Sequence, residues 1–356
     1  MISYVRHLLF LSLPSLLLPI LSLSIIYLSG IYLSGCGGSS ISDIIDDVAK
    51  EPDRKPIDTT RLGTNSFFNN SNFGSIGAQA KEVKETLRLN FVRVLFAWND
   101  QVQPTPGSAP NFSFYDDIVS KASARDLDIL VVITGLPSWM TNGANWSTEG
   151  NPRKTFIDLW AKKVFDRYAG NAKVSSFQIW NEPNMQSDSH NVTLDIAESP
   201  INYLEMLCYG YSVAQDTASS KLIVSAATTA INQNYPQTLD YNKTFHSNGA
   251  ENCLDIYGLH VYGKQFENFV RGGGINDFFG GVKSRVWVTE SGAQGVNSQL
   301  PYGEQMWPYI MEKISQIERI YQYQFAEATP SDVTYGLRNL TAGSTLSDLY
   351  IFLRDR

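Results

Sequence analysis

Several features are scarce or missing in this chain of 356 residues, and each absence removes a class of function. There are 28 Lys+Arg against 35 Asp+Glu and no basic run, so the net charge of -7 provides no footprint for nucleic acid. No G-x-G-x-x-G or P-loop pattern follows any apolar run, and no cofactor is expected. Histidines number 4, without an H-x-x-x-H pair or a Cys cluster, so no metal site is expected and His190 and His246 stand isolated. A serine hydrolase is unsupported because the G-x-S-x-G elbow is absent. Cysteines number only 3. Cys36 lies in the N-terminal segment, which leaves Cys208 and Cys253. These two form either a disulfide or a pair of buried thiols, since sequence does not give their separation.

What is present begins with a long apolar stretch after Arg6 and His7, ending in Leu33-Ser34-Gly35-Cys36-Gly37. This is the pattern of an export signal. The small-residue site before Cys36 resembles the lipobox of bacterial lipoproteins, whose Cys becomes the lipidated first residue. The resemblance implies a chain anchored in the membrane of the cell envelope. A signal anchor is the alternative, because the apolar stretch is long enough to span a bilayer. The order expected is a signal peptide and lipobox over 1–36, a flexible polar tether over 37–60, and one domain over 61–356, acting as a monomer.

Within that domain short apolar runs recur eight times, at 61–67, 91–98, 128–135, 174–182, 221–228, 255–262, 285–291 and 319–326. Segments with helical spacing separate them, for example 78–89, 155–170 and 201–218. Runs apolar throughout are strands buried on both faces, which implies a parallel sheet with helical crossovers. Eight such units predict an α/β fold of the (β/α)8 TIM barrel type. The glycines of 271–277 read as a loop or helix break. Residues 327–356 suffice for a last loop and helix, not for a second domain.

Barrel chemistry gathers where strands end, so polar residues closing apolar runs are the candidates. Residues 177–185, "FQIWNEPNM", close the fourth run with Asn181 and Glu182, and "VWVTESG" closes the seventh with Glu290. Two carboxylates facing each other across a cleft are what glycoside hydrolysis requires. Arg93 on the second strand is placed to pair with a carboxylate and hold it ionised. Asn181 offers a hydrogen bond to a sugar hydroxyl. His260 and Tyr262, two apart on the sixth strand, share a face and are expected to touch sugar or orient Glu290. Trp98, Trp139 and Trp146 are expected as stacking platforms.

These motifs resemble those of the clan A retaining glycoside hydrolases, and "FQIWNEPNM" looks most like the acid/base strand of the family 39 group of β-xylosidases and exopolysaccharide glycosidases. The resemblance covers about 61–340. It implies Glu182 as acid/base, Asn181 as the 2-hydroxyl ligand and Glu290 as nucleophile, in a retaining hydrolase of a poly- or oligosaccharide. Many relatives carry a Trp at the end of the eighth strand, where this chain has Gln322, Tyr323 and Phe325. The added β-sandwich of family 39 xylosidases is also missing, which favours an endo-acting or polymer-trimming enzyme. The alternative is a non-catalytic surface lipoprotein that binds carbohydrate on the same barrel.

Overall fold

The computed structural model describes residues 51–340 and 346–356. The expected export signal, Cys36 and the first part of the tether lie outside the described residues.

Eight parallel strands close into a barrel in sequence order. They are β1 (Leu62–Asn65), β2 (Phe91–Ala97), β3 (Asp128–Thr134), β4 (Val174–Ile179), β5 (Leu222–Ser225), β6 (Ile256–Tyr262), β7 (Arg285–Gly292) and β8 (Ile317–Gln322). Each falls on one of the eight apolar runs. Closure is made by β1 on β8, with Leu62 opposite Ile320 and Thr64 opposite Gln322. Helices cover the outside, among them Ser113–Ser123, Pro200–Ala218, Gln237–Ser247 and Gln299–Lys313. The glycines of 271–277 separate the short helices Glu267–Val270 and Ile275–Gly281, as their composition implies.

Strand faces divide the core in two. Val92, Val94 and Phe96 of β2 point outward and join the large layer between barrel and helices, whereas Arg93 points inward. The barrel floor is a smaller cluster of Leu130, Val224, Ile256, Trp287 and Tyr321. There the Arg319 guanidinium lies 4.0 Å from the Phe91 ring centre and 4.3 Å from that of Trp287, so a charged group closes the floor by stacking. The β5–β6 contact is the narrowest of the ladder. A Cβ at Gly258 would collide with the carbonyl of Ser225, so only glycine allows these strands to meet.

Two features differ from the sequence reading, and a third resolves an alternative it left open. Residues 51–60, expected as flexible tether, lie along the helix Gln299–Lys313. Ile57 is buried there, the Lys55 amide donates to the Glu304 carbonyl at 2.9 Å, and Glu51 accepts from Gln305 at 3.2 Å and Lys264 at 3.0 Å. One buried isoleucine and a set of ion pairs outweigh the polar composition. After β8, two short strands, β9 (Ala326–Glu327) and β10 (Arg338–Asn339), pair in parallel before the final helix Asp348–Asp355. Cys208 and Cys253, left open by sequence, form a disulfide with Cα atoms 4.8 Å apart.

Candidate active site

The fourth strand stops at Ile179, and two of the next three residues take conformations no strand contains. Trp180 has φ of +75° and Glu182 has φ of +43°. Left-handed backbone at two bulky or charged residues costs about 1–3 kcal/mol each and persists only where neighbours enforce it. Asn191 does much of the enforcing. Its side chain accepts from Trp180 Nε1 at 2.7 Å and donates to the carbonyls of Glu182 at 2.8 Å and Met185 at 2.9 Å. The Glu182 amide donates to the Ala227 carbonyl at 2.9 Å. The Glu182 carboxylate is thereby turned over the mouth of the barrel.

On the opposite wall the β6–β7 ladder slips between Leu259 and His260, so that His260 faces Glu290 and Thr289 is passed over. A bulge re-aims a side chain, and here it aims Glu290 inward. Glu290 Oε1 accepts from Arg93 Nη1 at 2.7 Å and Oε2 accepts from the Tyr262 hydroxyl at 2.9 Å. Burial pushes the Glu290 carboxyl up. The charge at His260 and Arg93, with the Tyr262 hydrogen bond, outweighs burial and holds it below its ordinary value. Burial of the phenol, and after it the same contact with Glu290, drive the Tyr262 hydroxyl well above its own ordinary value, so it stays a donor.

Arg93 is completely buried, and each of its three side-chain nitrogens donates to a protein group. Beyond Glu290 it reaches Asn65 Oδ1 at 2.6 Å, Asn181 Oδ1 at 2.6 Å and Gln178 Oε1 at 3.0 Å. Arg93 pairs with a carboxylate as its place on the second strand implied, and with no exposed surface for a sugar it positions Glu290 and Asn181. His260 is likewise fully buried, with Nδ1 3.1 Å from Glu182 Oε1 and Nε2 3.6 Å from Glu290 Oε1. It bridges the two carboxylates and does not face a sugar. The ligand-type atoms of Glu182, His260 and Glu290 lie within 4.8 Å of one another. Arg93 already occupies the cationic position beside Glu290, which a metal ion would have to share with a guanidinium.

The two carboxylates face a cavity of about 310 Å³ lined also by Tyr262, Tyr323, Tyr335 and Gln233. The three tyrosine rings meet edge to face, with centres 5.6 to 6.1 Å apart. Tyr323 directly follows β8, where the sequence noted a missing Trp. The tryptophan platforms are corrected. Trp98 is fully buried, bonded through Nε1 to Gln103 and edge-on to Trp139 at 5.1 Å. Trp139 and Trp146 are half-buried against the core, and their indole N–H groups go to the carbonyls of Gln103 and Met140. An aromatic at a strand end serves as core as readily as cleft, and only the contacts decide. Asn65, Gln178, Asn191 and Tyr335 were missed. The first two are polar residues inside apolar runs, which is a legible signal, while Asn191 and Tyr335 lie in loop-rich segments without one.

A family model described as cellulase (glycosyl hydrolase family 5) matches residues 52–321. No curated protein matches by sequence. Among solved structures, a family 39 glycoside hydrolase from Bacteroides cellulosilyticus WH2 aligns at TM-score 0.58 and 15% identity, covering 85% of this chain and 63% of that one. A monomeric β-xylosidase from Caulobacter crescentus CB15 aligns at TM-score 0.59 and 13% identity, covering 85% and 69%. A family 1 β-glucosidase from Thermotoga maritima aligns at TM-score 0.57 and 13% identity, covering 84% and 98%. At these identities the likeness is one of fold, and this chain spans less than two thirds of the length of the first.

Proposed function

Because the chain belongs to the cellulase family, glycosyl hydrolase family 5, and is therefore a glycoside hydrolase, we propose that it cleaves β-glycosidic bonds of a poly- or oligosaccharide with net retention. The observation that carries this reading is the approach of the Glu182 and Glu290 carboxylates, whose oxygens come within 4.8 Å. Retaining enzymes hold their carboxyls about 5–5.5 Å apart, whereas inverting ones leave about 6.5–9.5 Å for a water. In the first step Glu290 attacks the anomeric carbon. The bond to the leaving oxygen breaks, and the Glu182 proton passes to that oxygen. In the second step a water gives its proton to Glu182, attacks the same carbon and releases Glu290.

The charge distribution supports these roles. Glu290, ionised beside Arg93, has the form a nucleophile needs. Glu182 has no arginine beside it, and its hydrogen-bond partner is His260 Nδ1 at 3.1 Å. Asn181, fixed by Arg93, is placed beside both for a sugar hydroxyl. The reading includes export and lipidation at Cys36, supported by the N-terminal sequence. Among the described residues no helix is long and apolar enough to cross a membrane.

The test is intact mass after incubation with 2-deoxy-2-fluoro β-glycosides that carry good leaving groups, followed by peptide mapping. A single adduct on Glu290 is expected. Glu182→Gln should still form the adduct, because a good leaving group needs no proton, but should release it slowly. An adduct elsewhere, or near-normal turnover of a natural β-glycan by Glu290→Gln, removes the assignment.

A further inference from the structure

The central cavity is not closed on the Glu182 side. Thr229, Gln233 and Asn234 line both it and a neighbouring cavity of about 600 Å³. Asn184, Gln186 and Gln237 in turn line that one and a third of about 550 Å³. The three form one groove leading away from the reaction centre over the loops that follow β4 and β5. Its walls leave the acid directly, since Asn184 and Gln186 stand two and four residues beyond Glu182. The acid protonates the departing oxygen, so this is the direction in which the leaving group extends.

The chemistry of the walls limits what lies there. The 600 Å³ section contains no charged side chain, only amides, hydroxyls and Tyr235. Farther out the charged groups are Glu198 and Asp240, both exposed, and they repel an anionic sugar. Gln186 and Gln237 are exposed, and their side chains hydrogen-bond to no other described residue. Each presents a donor and an acceptor to whatever occupies the groove. Both outer sections exceed the central cavity in volume.

Resting on the glycosidase reading above, we propose that the leaving group is an uncharged oligosaccharide segment of at least two sugar units, and that Gln186 and Gln237 select it. The measurement is kcat/KM for aryl β-glycosides against β-1,4-linked gluco-, manno- and xylo-oligosaccharides of two to six units, with uronate-bearing chains of the same lengths alongside. Reducing ends carry ¹⁸O, so that the cleaved bond is located. In one sugar series, adding a second unit on the leaving side should raise kcat/KM by about tenfold, the worth of one or two hydrogen bonds. In the Gln186→Ala/Gln237→Ala double variant the ratio of extended to unextended substrate should fall toward one. Each enzyme is its own reference, so loss of folded protein does not imitate the effect. No gain, a gain only from the opposite end, an unchanged ratio in the variant, or a preference for uronate-bearing chains overturns the proposal while hydrolysis of aryl glycosides upholds the glycosidase reading. Failure to cleave any substrate overturns both.

Discussion

Burial pushes the Glu290 carboxyl up, and three neighbours drawn from two strands outweigh it. His260 and Tyr262 come from β6 and Arg93 from β2. A carboxyl whose folded value is depressed stabilises the protein above its ordinary value, and this contribution is lost as pH falls through the folded value. The acid limb of kcat/KM should therefore lie below the ordinary glutamate value. Tyr262→Phe removes one hydrogen bond and should move that limb upward, with stability measured in parallel above it. A limb that stays in place would show that another group sets it. Arg93→Ala is more severe, because it leaves a buried carboxylate unpaired. Breaking such a pair costs about 3–5 kcal/mol, readable as a lower urea midpoint at neutral pH. Arg93→Lys should recover only part of this, since one ammonium cannot reach Asn65, Gln178, Asn181 and Glu290 together.

At the scale of elements, the disulfide joins the helix Pro200–Ala218 to the turn Ala250–Cys253 just before β6. The closed loop of 45 positions contains all of β5, whose register with β6 rests on the single pair Val224 and Ile256. Loop-closure entropy for that length gives about 4 kcal/mol of stabilisation. Reduction, or Cys208→Ser with Cys253→Ser, should lower the urea midpoint accordingly, and an unchanged midpoint would mean the loop is ordered without it. The strands around this loop were legible because each is apolar on both faces, and Asn181, Glu182 and Glu290 were legible because they end such runs. Trp98 was misread for the same reason, since a strand-end indole looks alike whether it faces cleft or core. Thr289, Asn191 and Tyr335 escaped notice. A bulge, a clamp from a short helix and a loop crossing over the mouth are products of packing between distant segments, and they leave no local pattern.

For the whole molecule, the segment 51–60 acts as a strap. It runs from the floor, where Arg61 donates to the Ile317 carbonyl at 3.1 Å, along the helix Gln299–Lys313 to Lys264 just beyond β6. Ile57 meets Gly303 where the helix has no side chain, and burying such a residue contributes about 1.5–3 kcal/mol. Ile57→Ala should lower the urea midpoint by about 2 kcal/mol. Hydrolysis of a small aryl glycoside should be unaffected, because the strap touches none of the residues around Glu290. An unchanged midpoint would reduce the strap to a surface contact.

The path of that strap also fixes the polarity of handling. Glu51 leaves the barrel at its mouth, beside Lys264, whereas Arg356 ends at the floor with its guanidinium on the carbonyls of Leu87 and Arg88. A bead, a dye or a fused partner placed just upstream of residue 51 stands next to the mouth that holds Glu182 and Glu290. The same cargo attached after Arg356 hangs from the far side and leaves that opening clear.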